Sequence, residues 1–208
     1  MTALILLVFL GAAVIAIPIA HALLVAAMAA HCTGQVIYFA QDAHNPTLVS
    51  HRARGKRVVF VEAGHIVAVE GQLQQKLALA DVPLTRGGLL GFQIDNTLAA
   101  VGACWALDME WPAICNGISS FLNDSKNAPG RFNLMQYKGA TVVADYGHNP
   151  HAMHALVAAF NAMPLTPGQK RTVVISGAGD RRDEDIRQQT EMLGHAPELI
   201  ATANTIPI

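Results

Sequence analysis

The hexapeptide Asp145-Tyr146-Gly147-His148-Asn149-Pro150 (DYGHNP) separates a strand pattern from a helix pattern. The run before it, residues 140–144, is short, apolar and β-branched, which predicts a buried strand. Apolar residues then recur at helical spacing up to Met163, with Asn149 as a natural N-cap and Pro150 in the first turn. Asp145 and His148 are therefore predicted beside a helix N-terminus at a strand's carboxyl end, where open α/β sheets bind ligands.

A second unit of the same kind follows in the chain. Residues 171–176 form another predicted strand, and residues 177–185 lead from it into a helix that ends at Gly194. Two such units in succession predict a parallel sheet with right-handed crossovers, which places Asp145 and Asp180 along one sheet edge. The alternative for residues 177–185 is a solvated, capped helix start, and the sequence leaves it open.

A nearly identical string, Asp42-Ala43-His44-Asn45-Pro46, follows another strand-like run at residues 36–39. Junctions of strand, turn and helix are commonly rich in Asp, Gly, Asn and Pro, and most of them bind nothing. The hexapeptide on its own therefore leaves a ligand site and an ordinary capped helix as alternatives.

The amino-terminal half is predicted to alternate strands and helices. Its predicted elements, in chain order, are a strand at 36–40, a helix from Asn45 to Gly55, a hairpin of strands 57–62 and 65–70, a helix capped by Asp95, and a helix from Trp111 to near Phe121. Further on, Lys138-Gly139 predicts the turn of a second hairpin.

Charge and cysteine usage exclude several function classes. The 208-residue chain has a net charge of −1, which gives no reason to expect nucleic acid or an anionic membrane as a partner. Its three cysteines are far apart and form no CxxC, which predicts reduced thiols and a cytoplasmic location. His148, His151 and His154 are spaced by three, but no carboxylate or cysteine completes a set, so we predict no metal site.

The first twenty residues are unusual. Residues 3–20 are apolar throughout, which is long enough for a marginal membrane span or a signal segment. No Lys or Arg precedes the run and Pro18 interrupts it, so a membrane tether is disfavoured. With the polar segment 123–129 (NDSKNAP) as the best boundary, the predicted divisions are 1–20, 21–127 and 128–208.

Four strings occur in order: GFQIDNTLAAVGACWAL (residues 91–107), PGRFN (129–133), DYGHNP (145–150) and SGAGDRRDEDI (176–186). Together they resemble the Mur ligase superfamily of ATP-dependent amide-bond ligases. VPLTRGG and GDRRDEDI are similar to its cyanophycin synthetase branch, whose carboxy-terminal part is Mur-like. The resemblance also distinguishes the two related strings, because DYGHNP follows PGRFN whereas DAHNP precedes it.

The resemblance implies a fold and a reaction. The fold is α/β, the end of a Mur ligase central domain followed by an incomplete Rossmann-like carboxy-terminal domain. The reaction uses ATP and Mg²⁺ to phosphorylate a carboxylate, and an amine then attacks the acyl phosphate. The implied partners are arginine or aspartate as the amino-acid substrate and a cyanophycin-like chain; the resemblance is compatible with an oligomer.

The resemblance also implies roles for individual residues. Arg131 would reach the nucleotide phosphates, Asp145 would hold the ribose or nearby groups, and His148 would lie beside the nucleotide. Asn96 matches a helix-start asparagine near the nucleotide. The residues expected near the incoming amino acid are Asp180, Arg181 and Arg182. The alternatives are that Arg131 pairs with a carboxylate and that Asn96 only caps a helix.

The sequence departs from the family at one decisive point. It contains no GxxxxGK[ST], and so no P-loop lysine or Mg²⁺-binding hydroxyl. We therefore expect a fragment, such as a truncated or frameshifted gene product, with unrelated sequence in its first twenty residues and no catalytic activity on its own. The alternative is a non-catalytic module that binds a nucleotide or an amino acid.

Overall fold

The computed structural model describes residues 6–9, 31–32, 34–147, 149–175, 183–194 and 199–203. The chain divides into two compact units, Met1–Leu122 (unit 1) and Asn123–Ile208 (unit 2). Within the described ranges, no helix is long and apolar enough to cross a membrane.

Unit 1 is a five-stranded mixed sheet with helices on both faces. Its strands are β1 (Leu6–Phe9), β2 (Val36–Asp42), β3 (Val58–Glu62), β4 (His65–Glu70) and β5 (Leu73–Ala78), hydrogen-bonded in that order. The first three strands run parallel, and β3, β4 and β5 are antiparallel neighbours. Its described helices are α1 (Pro46–Ala53), α2 (Gly91–Ala106) and α3 (Trp111–Ser120), with short 3₁₀ turns at Leu79–Asp81 and Pro83–Thr85.

Alternating side chains along the strands build the core of unit 1. On one face Ile37 and Val59 pack in a cluster with Leu98 and Val101 of α2. On the other face Phe60 packs in a cluster with Leu48 of α1, Val58 and Val67. Successive strand residues point to opposite faces, so a strand such as β3 must be apolar throughout to contribute to both clusters.

Unit 2 contains two short sheets and two described helices. Its elements are β6 (Asn133–Tyr137), β7 (Ala140–Ala144), α4 (Pro150–Ala162), β8 (Arg171–Ile175), α5 (Asp183–Gly194) and β9 (Leu199–Ala203). The β6 and β7 strands form an antiparallel pair, and β8 and β9 form a parallel pair joined through α5. The predicted α/β fold class is therefore confirmed, with a mixture of parallel and antiparallel strands.

Most predicted elements of the amino-terminal half are confirmed. The strand at 36–40, the helix after Asn45 and the helix from Trp111 are all present. The predicted hairpin turns at Ala63-Gly64, where φ is 48° and 75°, a left-handed turn that suits adjacent twisted strands. Strand β5 was not predicted, because its sequence LQQKLA is largely polar and lacks the apolar alternation of a strand. It is an edge strand that pairs with β4.

The prediction that Asp95 caps a helix is wrong. Helix α2 begins four residues earlier, at Gly91, with Leu90 in the N-cap position. Leu90 is buried, and its carbonyl accepts hydrogen bonds from the backbone N–H groups of Gln93 and Ile94. Burial of apolar residues in the first turn thus outweighs the local preference of aspartate for a cap.

The predicted parallel pairing of β7 with β8 is not seen among the described strands. The neighbour of β7 is β6, and the neighbour of β8 is β9. The hairpin at Lys138-Gly139, where φ is 47° and 82°, brings β6 back beside β7, as expected for that turn. The carboxyl ends of β7 and β8 are therefore in separate sheets among the described strands, and Asp180 lies outside the described residues.

The apolar amino-terminal run contributes to the sheet. Leu6–Phe9 forms β1, which pairs with Val36–Phe39 of β2 in parallel register. The proposed unrelated origin of residues 1–20 stays a prediction, since strand pairing reports on structure and not on origin.

Candidate functional site

The loop before β6 presents Arg131 on a hydrogen-bonded backbone. The side-chain oxygen of Asn133 accepts the N–H of Gly130 at 2.7 Å, and its amide donates to the carbonyl of Ala128 at 2.9 Å. The side chain of Asn123 donates to the carbonyl of Arg131 itself at 2.6 Å. Asn133 is only 2% exposed, so it joins both ends of the loop from inside. The loop conformation is therefore set by side-chain hydrogen bonds and not by a regular element.

The side chain of Arg131 is exposed to solvent. Within the described ranges its guanidinium has no hydrogen bond or ion pair, so the alternative that Arg131 pairs with a carboxylate is not seen there. An unpaired guanidinium on a fixed loop is well suited to bind a phosphate or carboxylate group from outside, because its planar donors can engage two oxygens at once.

The DYGHNP segment follows strand β7 and leads through a turn into a capped helix, as predicted. The prediction that this strand is buried is wrong, because the residues of β7 are exposed or half-buried. The carboxylate of Asp145 accepts the N–H of Gly147 at 2.6 Å, which closes a tight turn after β7. The side chain of Asn149 accepts the N–H of Ala152 at 2.8 Å, and Pro150 occupies the first turn of α4. The cap prediction is therefore confirmed, and Asp145 stays exposed on the turn.

One backbone hydrogen bond joins the two motifs of unit 2. The N–H of Tyr146 donates to the carbonyl of Gly130 at 2.8 Å, so PGRFN and DYGHNP lie side by side. Behind them Phe132, which is 2% exposed, contacts Phe160 of α4, with ring centroids 6.1 Å apart. Arg131 and Asp145 are thus carried by adjacent loops of one unit.

Four of the predicted site residues lie outside the described residues, namely His148, Asp180, Arg181 and Arg182. Their proposed roles stay predictions. Within the described ranges, no group of three or more His, Cys, Asp or Glu side chains is arranged to hold a metal ion.

Asn96 lies in unit 1, exposed on the second turn of α2. Its amide donates to the side-chain oxygen of Gln93 at 3.0 Å, which holds it along the helix. Asn96 is therefore inside the helix, so the alternative that it is a helix cap is wrong. Its contact with a nucleotide stays a prediction.

Gln41 and Asp95 link the end of β2 to helix α2. The amide of Gln41 donates to the Asp95 carboxylate at 2.8 Å and to the carbonyl of Gly91 at 3.0 Å. Gln41 lies where the pairing of β2 with β3 shifts register, an irregularity that redirects a side chain. Sequence reasoning missed this pair because the two residues are 54 positions apart.

Burial raises the pKa of the Asp95 carboxyl above its usual value, although the hydrogen bond from Gln41 opposes the shift. Because the folded-state pKa is raised, protonation of Asp95 adds to the free energy of unfolding. This addition is complete below the unfolded pKa, about 3.9, and is lost as pH rises through the folded pKa. Asp95→Asn cannot ionise and keeps an oxygen for Gln41. We therefore expect the free energy of unfolding of the variant, relative to the parent, to rise from acidic to neutral pH.

Urea unfolding at several pH values, followed by tryptophan fluorescence, measures this effect. Both tryptophans of the chain, Trp105 and Trp111, are in unit 1, so the signal reports that unit. Asp81→Asn, at an exposed position of unit 1, is the matched control. If the free energy of unfolding of the variant minus that of the parent stays constant or falls as pH rises, the role assigned to Asp95 is contradicted.

The DAHNP string of unit 1 is built in the same way as DYGHNP. The Asp42 carboxylate accepts the N–H of His44 at 2.8 Å, and the Asn45 side chain accepts the N–H of Thr47 at 3.1 Å ahead of α1. Local sequence therefore specifies the turn and the cap in both copies. What differs is the neighbour: DYGHNP is hydrogen-bonded to the loop of Arg131, whose side chain has no partner among the described residues.

Comparison with known proteins identifies the family. Residues 130–206 match the family model described as Mur ligase, glutamate ligase domain. A cyanophycin synthetase from Crocosphaera subtropica is 37% identical over 164 residues, which is 78% of this chain and 18% of that protein. A UDP-N-acetylmuramoyl-L-alanyl-D-glutamate--2,6-diaminopimelate ligase from Xanthomonas oryzae is 35% identical over 104 residues, 49% of this chain and 19% of that protein.

A solved structure of folylpolyglutamate synthase from Thermotoga maritima matches with a TM-score of 0.45 and 19% identity, over 81% of this chain and 40% of that one. The chain spans 18% of the length of the cyanophycin synthetases that it matches. Its glutamate ligase domain match begins at Gly130, in the loop that carries Arg131, and includes DYGHNP. The sequence matches thus coincide with the loops that the structure joins, and the chain belongs to the Mur ligase superfamily.

Proposed function

We propose that this chain is part of an ATP-dependent amide-bond ligase of the cyanophycin synthetase type, and that unit 2 contacts the nucleotide through Arg131, Asp145 and His148. One observation carries the proposal: the hydrogen bond from Tyr146 to Gly130 holds the two motifs together in the unit that matches the family. The proposal includes a cytoplasmic location, because the reaction consumes ATP and the predicted thiols are reduced.

The described residues fit a polyphosphate ligand. Arg131 offers an exposed guanidinium with no partner in the described part of the chain, and charge-assisted bonds to phosphate are among the strongest available to a protein. ATP supplies the phosphoryl group that activates a carboxylate. The residues of this chain would bind and orient it: Arg131 at the phosphates and Asp145 at the ribose. No described residue is assigned to Mg²⁺.

The roles of the remaining residues are part of the same proposal. Asp180, Arg181 and Arg182 would contact the incoming arginine or aspartate, and Asn96 would contact the nucleotide from α2. The 208 residues contain no GxxxxGK[ST], so we propose that the chain does not form amide bonds by itself. Amide synthesis from ATP by the purified chain would contradict that part of the proposal.

Titration calorimetry with ATP–Mg²⁺, adenosine, arginine and aspartate tests the binding roles. We expect ATP to bind more tightly than adenosine, and Arg131→Ala to weaken ATP about tenfold while leaving adenosine unchanged, as expected for loss of a charged hydrogen bond. Lys126→Ala, which removes a positive charge from the same exposed loop, is the control. Equal ATP affinity in Arg131→Ala and the parent would exclude Arg131 as a phosphate contact. An absence of heat with every ligand would refute the binding proposal as a whole.

A further inference from the structure

The backbone of Arg131 is held on both sides, while its side chain has no hydrogen bond or ion pair to another described residue. The peptide group before Arg131 is bound through the Gly130 carbonyl, which accepts the N–H of Tyr146 at 2.8 Å. The peptide group after it is bound through the carbonyl of Arg131, which accepts the side-chain amide of Asn123 at 2.6 Å. Fixing both peptide planes leaves little freedom in the φ and ψ angles of Arg131. The guanidinium therefore starts from a fixed point of the loop.

We infer that Asn123 is a positioning residue for Arg131, an inference that rests on the proposed role of Arg131 at the nucleotide phosphates. Of the groups that hold Arg131, only the Asn123 amide is a side chain bound directly to the arginine's own carbonyl. The Tyr146 group is a backbone N–H, which only proline would remove, and proline would also change the backbone of the turn. Asn133 acts one peptide earlier, on the N–H of Gly130, and is buried, so its loss would disturb the whole loop.

Preorganisation gives this hydrogen bond a functional consequence. An arginine on a mobile loop loses backbone freedom when it binds a ligand. The free-energy cost of this lost entropy makes binding weaker. An arginine on a fixed backbone has lost that freedom on folding. The Asn123 amide therefore strengthens ligand binding without touching the ligand, and its effect depends on the guanidinium of Arg131 being present.

A double-mutant cycle on the full chain tests the inference. We expect Asn123→Ala to weaken ATP–Mg²⁺ binding roughly threefold to tenfold, the range of one hydrogen bond, when Arg131 is present. In the Arg131→Ala background the same substitution should change nothing. Asn123→Asp keeps the shape but lacks the amide donor and adds a negative charge near the phosphates, so it should weaken binding at least as much as Asn123→Ala. Ser125→Ala, an exposed change in the same loop, should bind like the parent.

The outcomes separate the inference from the proposed function. If Arg131→Ala binds ATP like the parent, the phosphate role fails and the inference fails with it. If Arg131→Ala weakens binding but Asn123→Ala acts equally in both backgrounds, or not at all, only the inference is wrong.

A second measurement needs no nucleotide. The ¹⁵N order parameter of the Phe132 backbone N–H, which shares a peptide plane with the Arg131 carbonyl, should fall from about 0.85 towards 0.6 in Asn123→Ala. An unchanged order parameter would overturn the inference even if the chain binds ATP weakly.

Discussion

Replacing Asn133 with alanine should lower the free energy of unfolding of unit 2 by about 2–4 kcal/mol, because it strips partners from polar groups at the base of the loop. The Asn133 side chain is 2% exposed and bonds the Gly130 N–H and the Ala128 carbonyl at 2.7 and 2.9 Å. Alanine leaves these groups without a partner and creates a small void at a buried position. Both effects act in the same direction.

Hydrogen exchange of the α4 amides measures the loss in unit 2 separately from unit 1. Asn133→Asp keeps the oxygen that accepts from Gly130 but places a second oxygen against the Ala128 carbonyl in a buried site, so we expect it to destabilise at neutral pH at least as much as alanine. Gln136→Ala is the control, because Gln136 is exposed on the same strand and bonds only the side chain of Thr141. If Asn133→Ala were no more destabilising than Gln136→Ala, Asn133 would not be the residue that closes the loop.

Gly147→Val should destabilise unit 2 by about 2–3 kcal/mol through overpacking. A Cβ atom at this position would lie 2.6 Å from Cδ1 of Leu156 and 3.2 Å from the Asp145 carboxylate oxygen. Leu156 is 9% exposed, so its side chain has little room to move away. Gly147 is not among the described residues with positive φ, so the cost is steric and not conformational. Glycine is required here because the turn lies directly on α4.

Thermal unfolding and α4 hydrogen exchange compare Gly147→Val with Gly147→Ala, which should fall between valine and the parent. Gly117→Ala is the matched control: Gly117 lies within helix α3 with no atom within 4 Å of its added Cβ. That change should be neutral or stabilise by about 0.5–1 kcal/mol, as alanine is the better helix former. A tolerated Gly147→Val would show that the DYGHNP turn does not pack on Leu156 as described.

Turns and caps were predictable because they depend on near neighbours. Asn149 and Asn45 each cap a helix that starts with proline, and both bonds span three residues or fewer. The Lys138-Gly139 turn likewise follows from residues that tolerate positive φ. Asp95 shows the limit of such reasoning. Its side chain could have capped a helix, but in the structure it accepts a hydrogen bond from Gln41, which is 54 residues away.

The amino-acid sequence by itself determined the α/β class, most strands and helices, both capped turns and the motifs of the Mur ligase superfamily. Only the tertiary structure decided that Tyr146 bonds Gly130, that Asn133 closes the Arg131 loop from inside, and that β7 and β8, among the described strands, belong to separate sheets. The physical reason is range. Backbone preference and hydrophobic period act over a few residues, whereas the partner of a polar side chain depends on which distant segments burial brings together.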